Sequence, residues 1–145
     1  MIVTFCGHRD YITQNGDEEK LLLILEKMVG TAPCEFFLGD YGNFDLFAYH
    51  CARKFKEKHA TARLVFVTPY LPAKEEGRKF DLVIYPPLEN VPARFAIAHR
   101  NKWMVQQADC LIAYVNRRYG GAYTMYRYAL ANNKNTYNLA VKSNL

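Results

Sequence analysis

Along this chain, short unbroken apolar runs alternate with longer stretches in which apolar residues return every three or four positions. The first run, Ile2-Val3-Thr4-Phe5-Cys6, predicts a strand that Gly7 ends. Asp17 is placed to cap a helix with Leu21, Ile24, Leu25 and Met28 at helical spacing, and Gly30 and Pro33 stop it. Glu35-Phe36-Phe37-Leu38 predicts a second strand, closed by Gly39. A second helix carries Phe44, Phe47, Ala48, Cys51 and Phe55 on one face. Arg63 to Thr68 predicts a third strand, stopped by Pro69. The stretch from Pro69 to Lys79 is rich in Pro, Lys, Glu and Gly and reads as a loop. Asp81 to Tyr85 predicts a fourth strand, ended by Pro86-Pro87. A helix follows from about Pro92 to Gln107, and Asp109 to Val115 is the clearest strand of the chain. Gly120-Gly121 opens a last helix to about Asn132, and Thr136 to Val141 predicts a terminal strand.

The resulting order is β-α-β-α-β-β-α-β-α-β. Apolar strands alternating with helices imply a mostly parallel sheet covered on both faces. The expected fold is α/β, a Rossmann-like three-layer sandwich with about six strands. No repeat, low-complexity tract or linker divides the chain, and 145 residues suit one domain, residues 1–145. A chain of this length buries about two-thirds of its unfolded surface, so it needs no disulfide or metal to fold.

In such sheets ligands bind in the crevice outside the carboxyl ends of the strands. That rule selects four turns: Gly7-His8-Arg9-Asp10, Gly39-Asp40-Tyr41-Gly42-Asn43, Pro69-Tyr70, and Asn116-Arg117-Arg118-Tyr119-Gly120-Gly121. Glycines before a helix let a phosphate approach the backbone, and the helix start supplies free N–H groups and partial positive charge. Gly39-x-x-Gly42 and Gly120-Gly121-x-x-Thr124 both occupy that place, though glycine there also serves a turn alone. Neither is GxGxxG or a GxxxxGK[ST] loop, which argues against a usual nicotinamide dehydrogenase and a P-loop NTPase. The helix before the clearest strand runs antiparallel to it, which brings Arg94, His99 and Arg100 toward the same edge. An arginine there can fork onto a phosphate or carboxylate; for Arg94 a solvated helix charge is the preferred reading.

Charge and composition narrow the partners. The formal charge of +5 favours anions. The basic residues are dispersed, and Arg53 to Lys58 reads as a solvated helix face rather than a nucleic-acid stripe. No apolar run approaches the ~20 residues of a membrane helix. The four cysteines, Cys6, Cys34, Cys51 and Cys110, form no CxxC pair. Three of them sit in or beside apolar strands, so reduced thiols and a cytoplasmic location are expected. Cysteines and histidines show no metal-ligand spacing, so neither metal nor cofactor is expected. Ser143 is the only serine, which removes a Ser-His-Asp mechanism. Tyr41, Tyr119 and Tyr123 lie in candidate loops and could stack on a base. His8 could bond a phosphate or base, and Trp103 and Met104 read as packing residues. Asp45 reads either as a ribose or acid/base partner or as an acidic charge favoured at a helix start.

Thr4-Phe5-Cys6-Gly7-His8-Arg9 resembles the opening strand and turn of the SLOG superfamily, which includes the SMF/DprA and LOG proteins. The stretch His99 to Asp109, with Met104 four residues after Arg100 and then Ala108-Asp109, is similar to that family's helix-to-strand segment. Gly120-Gly121-Ala122-Tyr123-Thr124 resembles its GGxxT turn. The resemblance covers nearly the whole chain in order, and points to the short stand-alone bacterial and phage branch.

It implies a Rossmann-like fold that recognises nucleotides or nucleotide-derived ligands, including signals made from NAD. By position, Arg100 corresponds to the catalytic arginine of LOG phosphoribohydrolases, and Gly120, Gly121 and Thr124 to their phosphate turn. Those enzymes carry a glutamate three residues after the threonine, where this chain has Arg127. That departure turns the expectation from hydrolase to binder. The expected function is binding or sensing of a nucleotide-like, phosphate-bearing small molecule by Gly7, His8, Arg9, Gly39, Gly42, Asn43, Asp45, Arg100, Asn116, Gly120, Gly121 and Thr124. The alternative is a nucleoside-monophosphate N-glycosidase using Arg100 and Asp45, and single-stranded nucleic-acid binding ranks third. The family's habit also suggests a homo-oligomer.

Overall fold

The structure, a computed structural model, describes residues 1–141; Ser143 lies outside the described residues. Strands β1 (Ile2–Gly7), β2 (Cys34–Leu38), β3 (Ala62–Val67), β4 (Leu82–Ile84), β5 (Cys110–Tyr114) and β6 (Asn135–Asn138) form one sheet in the order β4-β3-β2-β1-β5-β6. Every neighbouring pair is parallel, including β3 and β4, which the sequence order left open. Helices α1 (Asp17–Met28), α2 (Asn43–Lys58), α3 (Ala96–Gln107) and α4 (Gly121–Ala131) cover it.

Side-chain alternation along the strands sorts two cores. Val3, Phe5, Phe36, Leu38, Leu64 and Ile112 pack against Leu21 and Leu25 of α1 and Phe44, Ala48 and Phe55 of α2. Cys6, Phe37, Val65, Val67, Leu111 and Ala113 pack against Met104 and Val105 of α3 and Met125 and Ala129 of α4. Trp103 stacks on Phe37 at 5.8 Å between ring centroids. Each fully buried Phe or Leu contributes roughly 1.5–3 kcal/mol. Exposed pairs such as Lys54–Glu18 contribute at most about 1 kcal/mol, so the two apolar layers hold the sandwich together.

Element ends are set by side chains that take over backbone hydrogen bonds. The terminal strand stops at Asn138 rather than reaching Val141. The Asn138 amide accepts from Val115 N at 3.0 Å and donates to Val115 O at 2.9 Å, and its oxygen also accepts from Ala140 N. β4 is short, with Asp81 turned to accept from Leu64 N and Lys56. The Pro69–Lys79 crossover has no helix. Its return is pinned on the α2 side, where Lys79 N donates to the Tyr49 hydroxyl at 2.7 Å and Phe80 stacks on Phe66. A 3-10 turn, Ala93–Phe95, precedes α3. The four cysteines are buried and unpaired, and no described helix is long and apolar enough to cross a membrane.

From β1 the chain runs outward through β2, β3 and β4, and α3 then returns it across the other face to β5. The strand order therefore reverses between β1 and β5, and adjacent connections diverge there, leaving a crevice at the carboxyl ends. Gly7, paired with Tyr114 of β5, lies at that edge. Phe44, at the start of α2, lies so close that a Cβ on Gly7 would fall 2.1 Å from its ring carbon Cγ. Gly7→Ala is expected to destabilise the protein by about 3 kcal/mol through overpacking. Urea unfolding measures this; an unchanged midpoint would mean that Phe44 can leave the β1 backbone freely.

Candidate functional site

A cavity of about 210 Å³ opens at the switch point. Phe5, Cys6, Ile97, Met104, Ala122 and Met125 supply its apolar wall. Polar and backbone groups come from the turns after β1, β2 and β5 and from the first half of α3. The apolar wall keeps the local dielectric low, so charges at this site act more strongly than at the surface.

Arg100 dominates it. Its side chain enters from α3 and the residue is only 2% exposed. Of its five N–H donors, Nη1 gives one to Val67 O at 2.7 Å and Nε gives one to Asn101 Oδ1 at 3.0 Å. Among the described residues Nη2 makes no hydrogen bond and the guanidinium forms no ion pair. Burial works against its charge, while Asp45 and Asp40 support it from a distance. A buried cation without a bonded counter-ion is costly, and an anion in the cavity removes that cost.

Asp45, in the first turn of α2, is the cavity's carboxylate. Its Oδ2 accepts from Tyr41 N at 2.8 Å. A Cβ on Gly39 would lie 3.0 Å from this oxygen and 3.2 Å from both terminal nitrogens of Arg100, so glycine at the end of β2 lets both groups close in. Desolvation raises the Asp45 pKa to about 6, against the opposing pull of Arg100 and the Tyr41 N–H. Tyr41 turns its ring toward Arg100, with 5.9 Å from guanidinium carbon to ring centroid. Nearby, Asp40 leaves Oδ1 buried without a hydrogen-bond partner.

The start of α4 forms the opposite wall. Gly120 adopts φ +92°, and its carbonyl accepts from both Thr124 N and Thr124 Oγ1 at 3.1 Å. Gly120, Gly121 and Ala122 line the cavity, and a Cβ on Gly121 would meet nothing within 4 Å. Gly121 is thus open to approach by a ligand, at a helix end that carries free N–H groups and partial positive charge. Arg9 and Arg117 stand at the mouth. Arg117 is held there by a two-pronged pair with Asp10, at 2.9 and 3.1 Å.

Of the residues expected from the sequence, Gly7, His8, Arg9, Gly39, Asp45, Arg100, Gly120 and Gly121 come together around this cavity. Gly42, Asn43, Asn116 and Thr124 do not line it. Gly42 has φ +106°, and a Cβ there would fall 2.6 Å from Arg9 Cα, while Asn43 N donates to Arg9 O. The β1 turn therefore occupies the start of α2, and of the two glycine turns only the one before α4 is open. Thr124 turns back onto its own helix, and Asn116 uses its N–H on His8 Nε2 at 3.1 Å. That bond makes His8 Nε2 an acceptor, and burial with the nearby Arg117 lowers the His8 pKa. His8 acts as a neutral latch between the β1 and β5 turns. Burial pushes the Cys6 thiol pKa far up, which disfavours the thiolate a nucleophile needs.

Asn101, Ile97 and Arg117 were not among the expected site residues. Arg117 lies in the β5 turn that the carboxyl-edge rule selects, although only Asn116, Gly120 and Gly121 of that turn are expected site residues. Asn101 and Ile97 carry no sequence signal beyond their neighbour Arg100. No family model and no curated protein matches this chain.

The raised Asp45 pKa has a definite sign. Its folded value lies above the unfolded value of 3.8, so its stabilising contribution is full below that pH and is lost as pH rises through about 6. Asp45→Asn keeps an oxygen for Tyr41 N and removes the part-buried charge. The variant is expected to be more stable than wild type by about 1–2 kcal/mol at pH 7.5, a gain that vanishes near pH 4. Urea titrations at both pH values check this; a loss of stability at pH 7.5 would instead reveal a tight pairing with Arg100.

Proposed function

We propose that this cavity binds a nucleotide or a nucleotide-derived ligand through its phosphate. The observation that carries the reading is Arg100, a buried guanidinium with unused donors at the wall of an open cavity. The open glycine turn at α4 faces the same space and supports it. Arg9 adds positive charge at the mouth, where Arg117 is already paired with Asp10, and Asp45 is the one carboxylate lining the cavity among the described residues. That carboxylate and Asn101 are suited to sugar hydroxyls, and the Tyr41 ring is suited to a base. The resemblance to the SLOG superfamily agrees with this assignment, and extends the candidates to NAD-derived nucleotides.

The test is thermal shift with nucleoside mono- and diphosphates, cyclic nucleotides and ADP-ribose derivatives. A ligand at a hundred times its dissociation constant stabilises the fold by about 2.7 kcal/mol. Arg100→Gln should weaken binding by roughly 10- to 100-fold, the range for a hydrogen bond to a charged group. Gly121→Ala should leave the free protein's melting temperature unchanged or slightly higher, and still abolish the ligand-induced shift. Stabilisation by no member of the panel at millimolar concentration, or full binding by both variants, would sink the assignment.

Asp45 favours one further reading, an N-glycosidase acting on a nucleoside monophosphate. A carboxyl group titrating near 6 beside a phosphate-binding arginine suits proton transfer at neutral pH. Arg127, at the position of the missing glutamate, is exposed and lies outside the cavity lining. Incubation with nucleoside monophosphates and chromatography for free base decides this. Any release should follow the ionisation of Asp45 and disappear in Asp45→Asn; release that survives in that variant excludes Asp45 as the acid/base group.

A further inference from the structure

Sharing no lining residue with the carboxyl-edge cavity, a groove of about 450 Å³ runs along the open edge of the sheet beside β6. Helix α1 builds one side of it. The apolar run Leu21 to Leu25 gives this helix more apolar surface than the core uses. Leu21 and Leu25 are fully buried, whereas Ile24 and Met28 are part-buried and Leu23 is 52% exposed. These last three line the groove with Leu139 and Val141, so its wall is largely hydrocarbon. Tyr126 of α4 and Tyr137 of β6 add aromatic surface, and neither hydroxyl makes a hydrogen bond with a described residue.

The charge at this groove has one sign. Lys20 and Lys27 stand on α1 one helical face apart from the core stripe, and no acidic residue lines the groove among the described residues. The Lys20 ammonium rests on Leu139 O at 3.4 Å, and Lys27 forms no ion pair among the described residues. The edge is also held in shape, because Asn138 clamps β6 onto Val115. A preformed, mostly apolar space of this size with a few polar groups at its rim has the character of a small-molecule site. A second copy of the chain fits it less well: a two-fold contact through this face sets the same lysines against one another.

We propose that this groove is a second binding site, for a small organic anion with an apolar body, of the acyl or aryl carboxylate kind. The hydrocarbon body lies against Leu23, Ile24 and Met28, and the carboxylate meets the Lys20 and Lys27 ammonium groups.

The full chain is titrated with 8-anilinonaphthalene-1-sulfonate and the bound dye is then displaced with decanoate. Saturable binding of one dye per chain, displaced by decanoate, is expected. Decanol, with the same body and no charge, should compete about ten-fold more weakly, and Lys27→Glu should weaken decanoate by a similar factor. Leu23→Glu should abolish binding. Both positions are exposed, so both variants should keep the wild-type melting temperature. Arg100→Gln and Gly121→Ala should leave decanoate binding untouched, which separates this site from the one at the carboxyl edge. Decanoate binding that ignores both Lys27→Glu and Leu23→Glu, or decanol competing as well as decanoate, overturns the proposal. So does light scattering that finds a dimer dissociated by Leu23→Glu and indifferent to decanoate, which would give the groove to a second copy. If Leu23→Glu does not fold, Lys27→Glu and Lys20→Gln carry the same decision.

Discussion

A guanidinium that is almost wholly out of water, with no carboxylate bonded to it, sets the character of this molecule. Arg100 is reached from three sides: Val67 O at the end of β3, Asn101 on its own helix, and Asp45 across Gly39. Two neutral acceptors do not offset the desolvation of a full positive charge, which costs several kcal/mol even after relaxation. Asp45 lies near enough to lessen that cost, yet its own burial raises its pKa to about 6. Each group is thus held where its charged form is disfavoured by burial and only partly supported by the other. Such an arrangement gives up stability in the free protein, and an anion with hydroxyl groups supplies what both lack.

That tension needs rigid surroundings, and the turns provide them through contacts between distant parts of the chain. His8 joins the β1 turn to the β5 turn by accepting from Asn116 N. The β1 turn in turn seals the start of α2 through Arg9 O and Asn43 N, a contact that only glycine at position 42 permits. Asp10 holds Arg117 at the mouth. The β1 turn is therefore a hinge-post for three walls at once. Its side chains serve geometry more than ligand contact, which explains why Gly7 and Gly42 are filled by Phe44 and Arg9 while Gly120 and Gly121 are open.

The first four strands were legible as short, largely apolar runs closed by glycine or proline, and β5 as an uninterrupted apolar run; their alternation with helices implied the layered sheet. Their ends were less legible: β6 stops at Asn138 through a side chain bonding Val115, 23 residues away. The edge carrying the site followed from the general behaviour of parallel sheets, and Arg100 from the antiparallel run of α3. The order of strands was hidden, because alternation is the same whichever side of β1 receives β5. The two glycine turns looked equivalent for the same reason. What separates them is the Arg9 backbone lying on Gly42, a contact across 33 residues that no local pattern encodes.

The open wall at α4 and the closed wall at α2 together give the cavity a direction. The α4 wall offers free helix N–H donors, whereas the facing wall sets the Arg100 donors beside one acceptor, Asp45, which already holds Tyr41 N. A ligand matching both is an anion at one end and a hydroxyl donor at the other. A bare inorganic anion uses only the donors, not the acceptor, and leaves Asp45 facing a like charge. A sugar phosphate or nucleotide uses both, and its hydroxyl donor favours the ionised carboxylate that burial opposes. Under the proposed function, the pairing of donors with one acceptor, more than positive charge alone, is what would separate a phosphorylated sugar from simple anions.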